Sequence, residues 1–350
     1  MGTPISLFDY HLPPEQIAQE PMRPRDRSRL LVLDRNTGVI VHKRFFEIAD
    51  ELCSGDVLVM NDTKVFRARL RGERKSKVRS QKSKVWIEVF LLRGEGREWT
   101  ALLRQGRKVD VGDAIDLGGL VAEVIEKSED GVATLRFDVG VDQVLAFTDA
   151  HGEIPVPPYV EKVPDRLDDY QTVYARNVGS VAAPTAGFHF TPELIETLKA
   201  KGVQFEFVTL HVGIGTFRPV KSETLEEHEM HCELVSISRP TADRINAAKR
   251  EGRRIIAVGT TTVRALEGVA ALDPDSPRLH EVLTDVNLFI TPGFHFKVID
   301  GLITNFHLPK STLIVLVSAF AGRERVLAVY NEAVRLGYRF FSFGDAMFVR

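Results

Sequence analysis

The chain has 350 residues, 44% hydrophobic and 27% charged, with 46 Lys and Arg against 48 Asp and Glu for a formal net charge of −2. That balance excludes a disordered or collagen-like chain and gives no overall basic character from which to argue a nucleic-acid partner. The length calls for about two domains. Cys53 and Cys232 stand in no metal or redox spacing and are expected as free thiols.

In chain order, the N-terminus "MGTPISLFDYHLPPEQIAQ" has neither a basic start nor an apolar signal core, so a cytoplasmic location is expected. Arg29–Asp34 and Val57–Met60 read as buried strands. "DVLVMNDTKVFRARL" then places short apolar strands around an Asn-Asp-Thr turn. The segment Arg67 to Lys84, "RARLRGERKSKVRSQKSK", carries nine Lys and Arg and one acid. Dense charge of one sign between strands suits contact with a phosphate backbone, although most charge runs are solvated faces. With no aromatic interleaved, the expected contact is with backbone rather than stacked bases. Five strand-like runs separated by glycine turns follow up to Gly140, the rhythm of a small antiparallel barrel or sandwich.

After about residue 150 the texture changes. Helical periodicity is expected at Arg166–Val178, Thr191–Lys201, Thr241–Glu251, Thr261–Ala271, Ser311–Ala321 and Arg323–Leu336. Between these stand "VQFEFVTL", "RRIIAVG", "VNLFIT", "VIDGLIT" and "YRFFSFG", which read as buried strands of a largely parallel sheet. The expected fold class is α/β, with an all-β barrel-like domain at 63–151 inserted into a discontinuous α/β domain made from 1–62 and 152–350.

Four stretches carry the chemistry. In "SVAAPTAGFHFT", Gly187 permits close approach and His189 stands just before a helix that Thr191 can cap. "TLHVGIGTFRPV" offers His211, Gly213, Gly215 and Thr216 after a strand, either as a ligand loop or as a tight turn. "AVGTTTVRALEG" runs from a strand into Gly259, Thr260 and Thr261 at a helix start, which suits an anion, and Arg264 one turn inside can clamp a carboxylate. "GLITNFHLPKSTLIVLVSAFAG" sets His307 and Lys310 between a strand and a helix, without the upstream glycines of a nucleotide-triphosphate loop. "EEHEMHCE" holds His228, His231 and Glu233, but in no common zinc spacing, so no metal is expected.

Taken together and in this order, "NDTKVFRARL", "SVAAPTAGFHFT", "LHVGIGTFRPV", "HEMHCE", "VGTTTVRALE", "TNFHLPKSTLIVLVSAFAG" and "FSFGDAMFV" resemble the S-adenosylmethionine:tRNA ribosyltransferase-isomerases of queuosine biosynthesis. The resemblance runs from "FDYHLPPEQIAQEP" to the C-terminus; Lys64 departs from the arginine often found there.

The resemblance implies transfer of the ribosyl group of S-adenosylmethionine to 7-aminomethyl-7-deazaguanine at the tRNA wobble position. The products are epoxyqueuosine-tRNA, adenine and methionine. It implies S-adenosylmethionine as co-substrate, no permanently bound cofactor, tRNA as partner and no membrane; a monomer is expected. A base must remove a C5′ hydrogen acidified by the sulfonium, and a donor must assist adenine. The candidates are His189 and His231 foremost, then His211, Glu233 and His307, all expected in one pocket with His228. S-adenosylmethionine is expected at Thr185, Gly187, Gly213, Gly215, Thr216, Gly259, Thr260, Thr261 and Arg264. The tRNA contact is expected from Lys64, Arg67, Arg69, Arg71 and Lys310. Two other readings remain: a tRNA-binding module without catalysis, and a methyltransferase, which would want a glycine-rich loop after its first strand.

Overall fold

The structure, a computed structural model, describes residues 2–75, 85–128, 131–157, 159–213, 222–275 and 278–350. The chain opens with β1 (Arg29–Leu33), β2 (Ile40–Arg44), a short α1 (Ile48–Glu51), β3 (Val57–Asn61) and β4 (Thr63–Val65). Six strands follow: β5 (Arg69–Lys75), β6 (Trp86–Glu95), β7 (Glu98–Arg104), β8 (Ala114–Asp116), β9 (Val121–Lys127) and β10 (Val132–Phe137). Next come α2 (Val141–His151), β11 (Asn177–Ser180), α3 (Pro192–Ala200), β12 (Gln204–His211), β13 (Glu233–Ile237) and α4 (Arg239–Arg250). The last elements are β14 (Ile255–Val258), α5 (Thr260–Ala271), β15 (Val282–Val286), β16 (Gly301–Asn305), α6 (Thr312–Ala321), α7 (Arg323–Arg335) and β17 (Ala346–Val349).

β5 to β10 close into an antiparallel barrel, and the remaining long strands form one sheet in the order β15-β13-β12-β3-β14-β16-β17-β1-β2. The fold is therefore the expected mixture of α/β sheet and barrel. The continuous apolar runs of β1, β3, β14 and β17 follow from burial on both faces. Val57, Val59, Ile255, Ala257, Met347 and Val349 join one core. Their alternates Leu58, Met60, Ile256, Val258, Ala346 and Phe348 join the other. α4 to α7 cover the first face, and α3 with Ile48 and Leu52 covers the second. The barrel keeps a separate core around Val89, Leu91, Trp99, Ile115 and Leu135.

Several expectations give way. The sheet is parallel only through β12, β3, β14 and β16 and between β17 and β1; its other pairings are antiparallel. Two helices, α6 and α7, separate β16 from β17, and a second reversal returns the chain antiparallel where one helix would have kept it parallel. Arg166–Val178 is no helix: it forms a short 3-10 turn at Leu167–Tyr170 and runs on into β11. The backbone carbonyls of Asp168, Asp169 and Gln171 accept from the Arg25 guanidinium, and the Gln171 amide bonds the backbone of Val65 in both directions, so tertiary partners displace local helix bonds.

"YRFFSFG" is a loop, because the Asp345 carboxylate gathers the amides of Arg29 and Arg339 and turns the chain before β17. The strand expected at "VNLFIT" lies earlier, at β15, where it pairs with β13. Helix α2 was not expected in an all-β block. Gln143 caps it by accepting from the Gly140 amide at 2.9 Å, and Val144 and Thr148 face inward.

Candidate active site

The C-terminal ends of the parallel strands β12, β3, β14 and β16 lie along one edge of the sheet, where α/β folds collect ligands. They deliver His211, Asn61, Gly259 and Asn305 to that edge. Asn61 is buried and acts as a staple. Its Nδ2 donates to the Leu210 carbonyl at 2.9 Å and to Thr261 Oγ1 at 3.3 Å, and its Oδ1 accepts from the amides of Leu210 and Thr63. Asp62 next to it accepts from Thr209 Oγ1 at 2.7 Å and Asn177 Nδ2 at 3.1 Å and pairs with Arg176. The Asn-Asp-Thr stretch that reads as a turn in the sequence thus locks three strands and a helix start together.

Three neighbouring hollows open along this edge. A shallow hollow of about 570 Å³, counted with its open mouth, lies over Thr185, Gly259, Thr260, Thr261, Asn305 and His307. A second, about 490 Å³ counted with its open mouth, is lined by His228, His231, Glu233 and Arg264 among apolar walls, and touches the first through Leu313. The third, about 1920 Å³ including its open mouth, is the cleft between the barrel and the sheet, with Trp99 and Arg93 on one wall and His211, Gly213 and His231 on the other. Arg93 of β6 pairs with Asp285 of β15 at 2.8 Å across that cleft.

The five histidines do not share one cavity. His189 sits behind the first, its Nδ1 2.7 Å from Ser28 Oγ and its Nε2 3.2 Å from Asn305 Nδ2, with its ring stacked on Phe45. Burial, with help from Arg339 and Arg25, pulls its pKa down to about 3. His307 lines the first cavity but is also engaged at both nitrogens, by Tyr330 at 3.1 Å and Thr304 at 3.2 Å; burial alone holds it at about 3. His211 differs. Nδ1 meets Thr63 Oγ1 at 2.7 Å, and Nε2 has no hydrogen-bond partner among the described residues. Its pKa is lowered by burial, with Asp62 opposing and Arg93 adding to the shift. His228 packs edge-on against Phe289, and burial and His231 lower its pKa; His231 is exposed at the rim.

His189 and His307 thus have both nitrogens engaged by the protein, whereas His211 keeps Nε2 open toward the cleft. The expectation of a shared pocket fails because His189, at the end of the 3-10 turn Thr185–His189, borders a separate small hollow beside Arg25, Ser28 and Phe343. Gly187 likewise serves the protein: a side chain there would meet Tyr174 Oη at 1.9 Å, so the close approach is to Tyr174. The N-terminus of α3 is taken up internally, with Thr191 Oγ1 accepting from the Leu194 amide.

Gly259 fits its expected place. Its φ of +91° turns β14 into α5, setting the amide end of that helix against the first cavity. Glu233 and Arg264 form a buried ion pair, and Glu233 also accepts from the Gly213 amide at 3.4 Å. Lys64 and Arg71 are exposed on strands that enter the barrel, Arg71 pairing with Glu153 at 3.2 Å. Arg67 bonds the Gly152 carbonyl, Arg69 is half-buried near Phe90, and Lys310 pairs with Asp9 at 2.8 Å. Gly215, Thr216 and the second half of the basic run, from Ser76 to Lys84, lie outside the described residues. No group of three or more His, Cys, Asp or Glu among the described residues is placed to hold a metal ion.

Sequence reasoning missed Asn61, Asp62, Thr63, Ser28 and Asn177, all small polar residues at strand ends. The available signal was a run of polar residues directly after an all-apolar strand.

The scaffold, a sheet edge of the kind where α/β folds collect ligands, faced by a barrel across a wide cleft, is that of an α/β enzyme. The family described as queuosine biosynthesis protein matches residues 5–349, and the chain belongs to that family. A solved structure of S-adenosylmethionine tRNA ribosyltransferase from Thermotoga maritima is 41% identical, with a TM-score of 0.57, over 99% of this chain and all of that one.

Proposed function

We propose that the protein transfers and isomerises the ribosyl moiety of S-adenosylmethionine onto 7-aminomethyl-7-deazaguanine at the wobble position of tRNA, giving epoxyqueuosine-tRNA, adenine and methionine. The observation that carries this reading is the 41% identity to a S-adenosylmethionine tRNA ribosyltransferase along essentially the full length of both chains. The geometry agrees with it. The two smaller cavities are contiguous and suit an elongated co-substrate, and the large cleft has room for a nucleotide brought in from outside.

S-adenosylmethionine is assigned to the sheet edge, over Thr185, Gly259, Thr260, Thr261 and Arg264, with Gly213 on the cleft side; Gly215 and Thr216 stay assigned to it from the sequence. His211 is best suited to take the C5′ proton, since its Nε2 is unengaged and its Nδ1 is held by Thr63. His231 at the junction of two hollows is the second candidate. His189 and His307 orient Asn305 and the first cavity's wall. Lys64, Arg67, Arg69, Arg71 and Lys310 are assigned to tRNA. The division into 1–62 plus 152–350 and 63–151 is supported by β3 lying between β12 and β14 while the barrel keeps its own core. The reading carries with it a cytoplasmic monomer with no permanently bound cofactor.

The test is to incubate the protein with S-adenosylmethionine and tRNA bearing the aminomethyl base. Adenine and methionine should appear in equal amounts with modified tRNA. S-adenosylhomocysteine in place of adenine would make the protein a methyltransferase; tRNA binding with neither product would leave a binding module.

A further inference from the structure

Arg264 leaves α5 one turn from its start and is only 7% exposed. Nη1 bonds the Glu233 carboxylate and Nε donates to the Leu288 carbonyl at 3.3 Å. Nη2 is buried and finds no hydrogen-bond partner among the described residues. A guanidinium has five donors in a rigid plane, and leaving one buried and unmet is costly, so an acceptor is missing at Nη2.

The cavity that Arg264 lines is chemically two-sided. At one end stand Arg264 and Glu233, opposite charges in contact; the remaining wall includes Met230, Leu288, Phe289, Leu313 and Leu316. A dianionic phosphate fits this poorly, because the Glu233 carboxylate would repel it and the apolar wall would strip its water. An α-amino acid head with an unbranched apolar side chain fits both halves. Its carboxylate meets the guanidinium in a charge-assisted bond, its ammonium meets a carboxylate, and its carbon chain lies on the leucines and Phe289.

We infer that this cavity holds the methionyl tail of S-adenosylmethionine, with the α-carboxylate on Arg264 Nη2 and the sulfonium toward Leu313. The inference rests on the proposed co-substrate and adds its direction. Leu313 lines both small cavities, so a tail anchored at Arg264 sends the adenosyl part over Thr260, Thr261 and Asn305. The ribosyl carbons then lie at the boundary, beside the cleft where His211 and His231 face the incoming nucleotide.

The experiment compares two probes by titration calorimetry: S-adenosylmethionine and decarboxylated S-adenosylmethionine, which keeps the sulfonium, amine and adenosyl group. Wild-type protein should bind the decarboxylated probe roughly 10- to 100-fold more weakly, the range of a charge-assisted hydrogen bond. In Arg264→Gln the two affinities should converge to within about threefold. Equal affinities in wild type, or a preference that survives in Arg264→Gln, overturns the assignment. Because Arg264→Gln removes the buried ion pair with Glu233, Arg264→Gln/Glu233→Gln serves as the second variant, with the same convergence expected. Should wild-type protein bind neither probe, the co-substrate itself is wrong and the assignment falls with it. A preference for the decarboxylated probe with normal adenine release overturns only the direction.

Discussion

The side-chain amide nitrogen of Asn305 lies 3.2 Å from Nε2 of His189, and this contact decides which way the Asn305 amide points into the first cavity. The buried ring is neutral. With Nε2 accepting from Asn305, Nδ1 carries the proton and donates to Ser28 Oγ at 2.7 Å. Asn305 Oδ1 is then turned to accept from Thr185 Oγ1 at 3.2 Å, so a polar strip at the cavity floor is aligned from behind.

His189→Leu should therefore cost about 100-fold in kcat through misplacement of Asn305, without removing either limb of the pH–rate profile. His189→Asn, which keeps a polar group at the site, should recover part of the loss. Disappearance of one limb of the profile in His189→Leu would instead make His189 a titrating catalyst.

His211→Asn should lower turnover by roughly 100- to 10,000-fold while S-adenosylmethionine affinity stays nearly constant. The direct readout is exchange of the C5′ hydrogens of bound S-adenosylmethionine with deuterium from solvent, where that step is reversible. Exchange should vanish in His211→Asn and persist in His189→Asn. Normal turnover of His211→Asn would move the base to His231.

Stability should fall as pH drops below about 6.5, the ordinary histidine value, because His189 and His307 are held near 3 in the folded protein. Between those values the unfolded chain binds two protons that the folded chain refuses, so acid favours unfolding. The contribution is fully present above about pH 6.5 and is lost progressively toward pH 3. Denaturant titrations at pH 7 and pH 5 should show a smaller gap for His307→Gln than for wild type. An unchanged gap means that His307 titrates normally.

Lys64→Gln/Arg71→Gln should weaken tRNA binding and reduce the log–log salt slope by roughly one for each lost phosphate contact, with S-adenosylmethionine affinity unaltered. A slope equal to that of wild type would remove both residues from the RNA interface.

The fold was legible where burial wrote it into composition. Runs such as "VLVM" and "IIAV" are apolar throughout because both faces are covered, and the glycine-spaced strands after Val85 announce the barrel. Legibility ended where long-range polar bonds outvoted local pattern. Arg25 pulls Leu167–Tyr170 out of a helix from 140 residues away, and Asp345 folds an aromatic segment into a loop. The site shows the same division. Gly259, Thr260 and Thr261 could be placed from a strand–helix junction alone, whereas a histidine's role depends on what holds each nitrogen. Ser28 behind His189 and Thr63 behind His211 are distant in sequence from the histidines they hold, so neither pairing could be read locally.

The chain leaves the sheet through β4 and comes back through β11, and these two strands are paired, Thr63 beside Asn177 and Val178 beside Lys64. The amides of Arg176 and Asn177 both reach the carbonyl of Asp62, so departure and return are fastened within a residue of each other. A module attached at such a doorway makes little demand on its host: the order of the sheet strands is the same whether or not anything hangs from it. Genetic grafting is then cheap, because a short linker in place of the excursion would leave the sheet's wiring intact. Such an architecture lets a lineage exchange the attached barrel while the sheet and its strand ends are inherited unchanged.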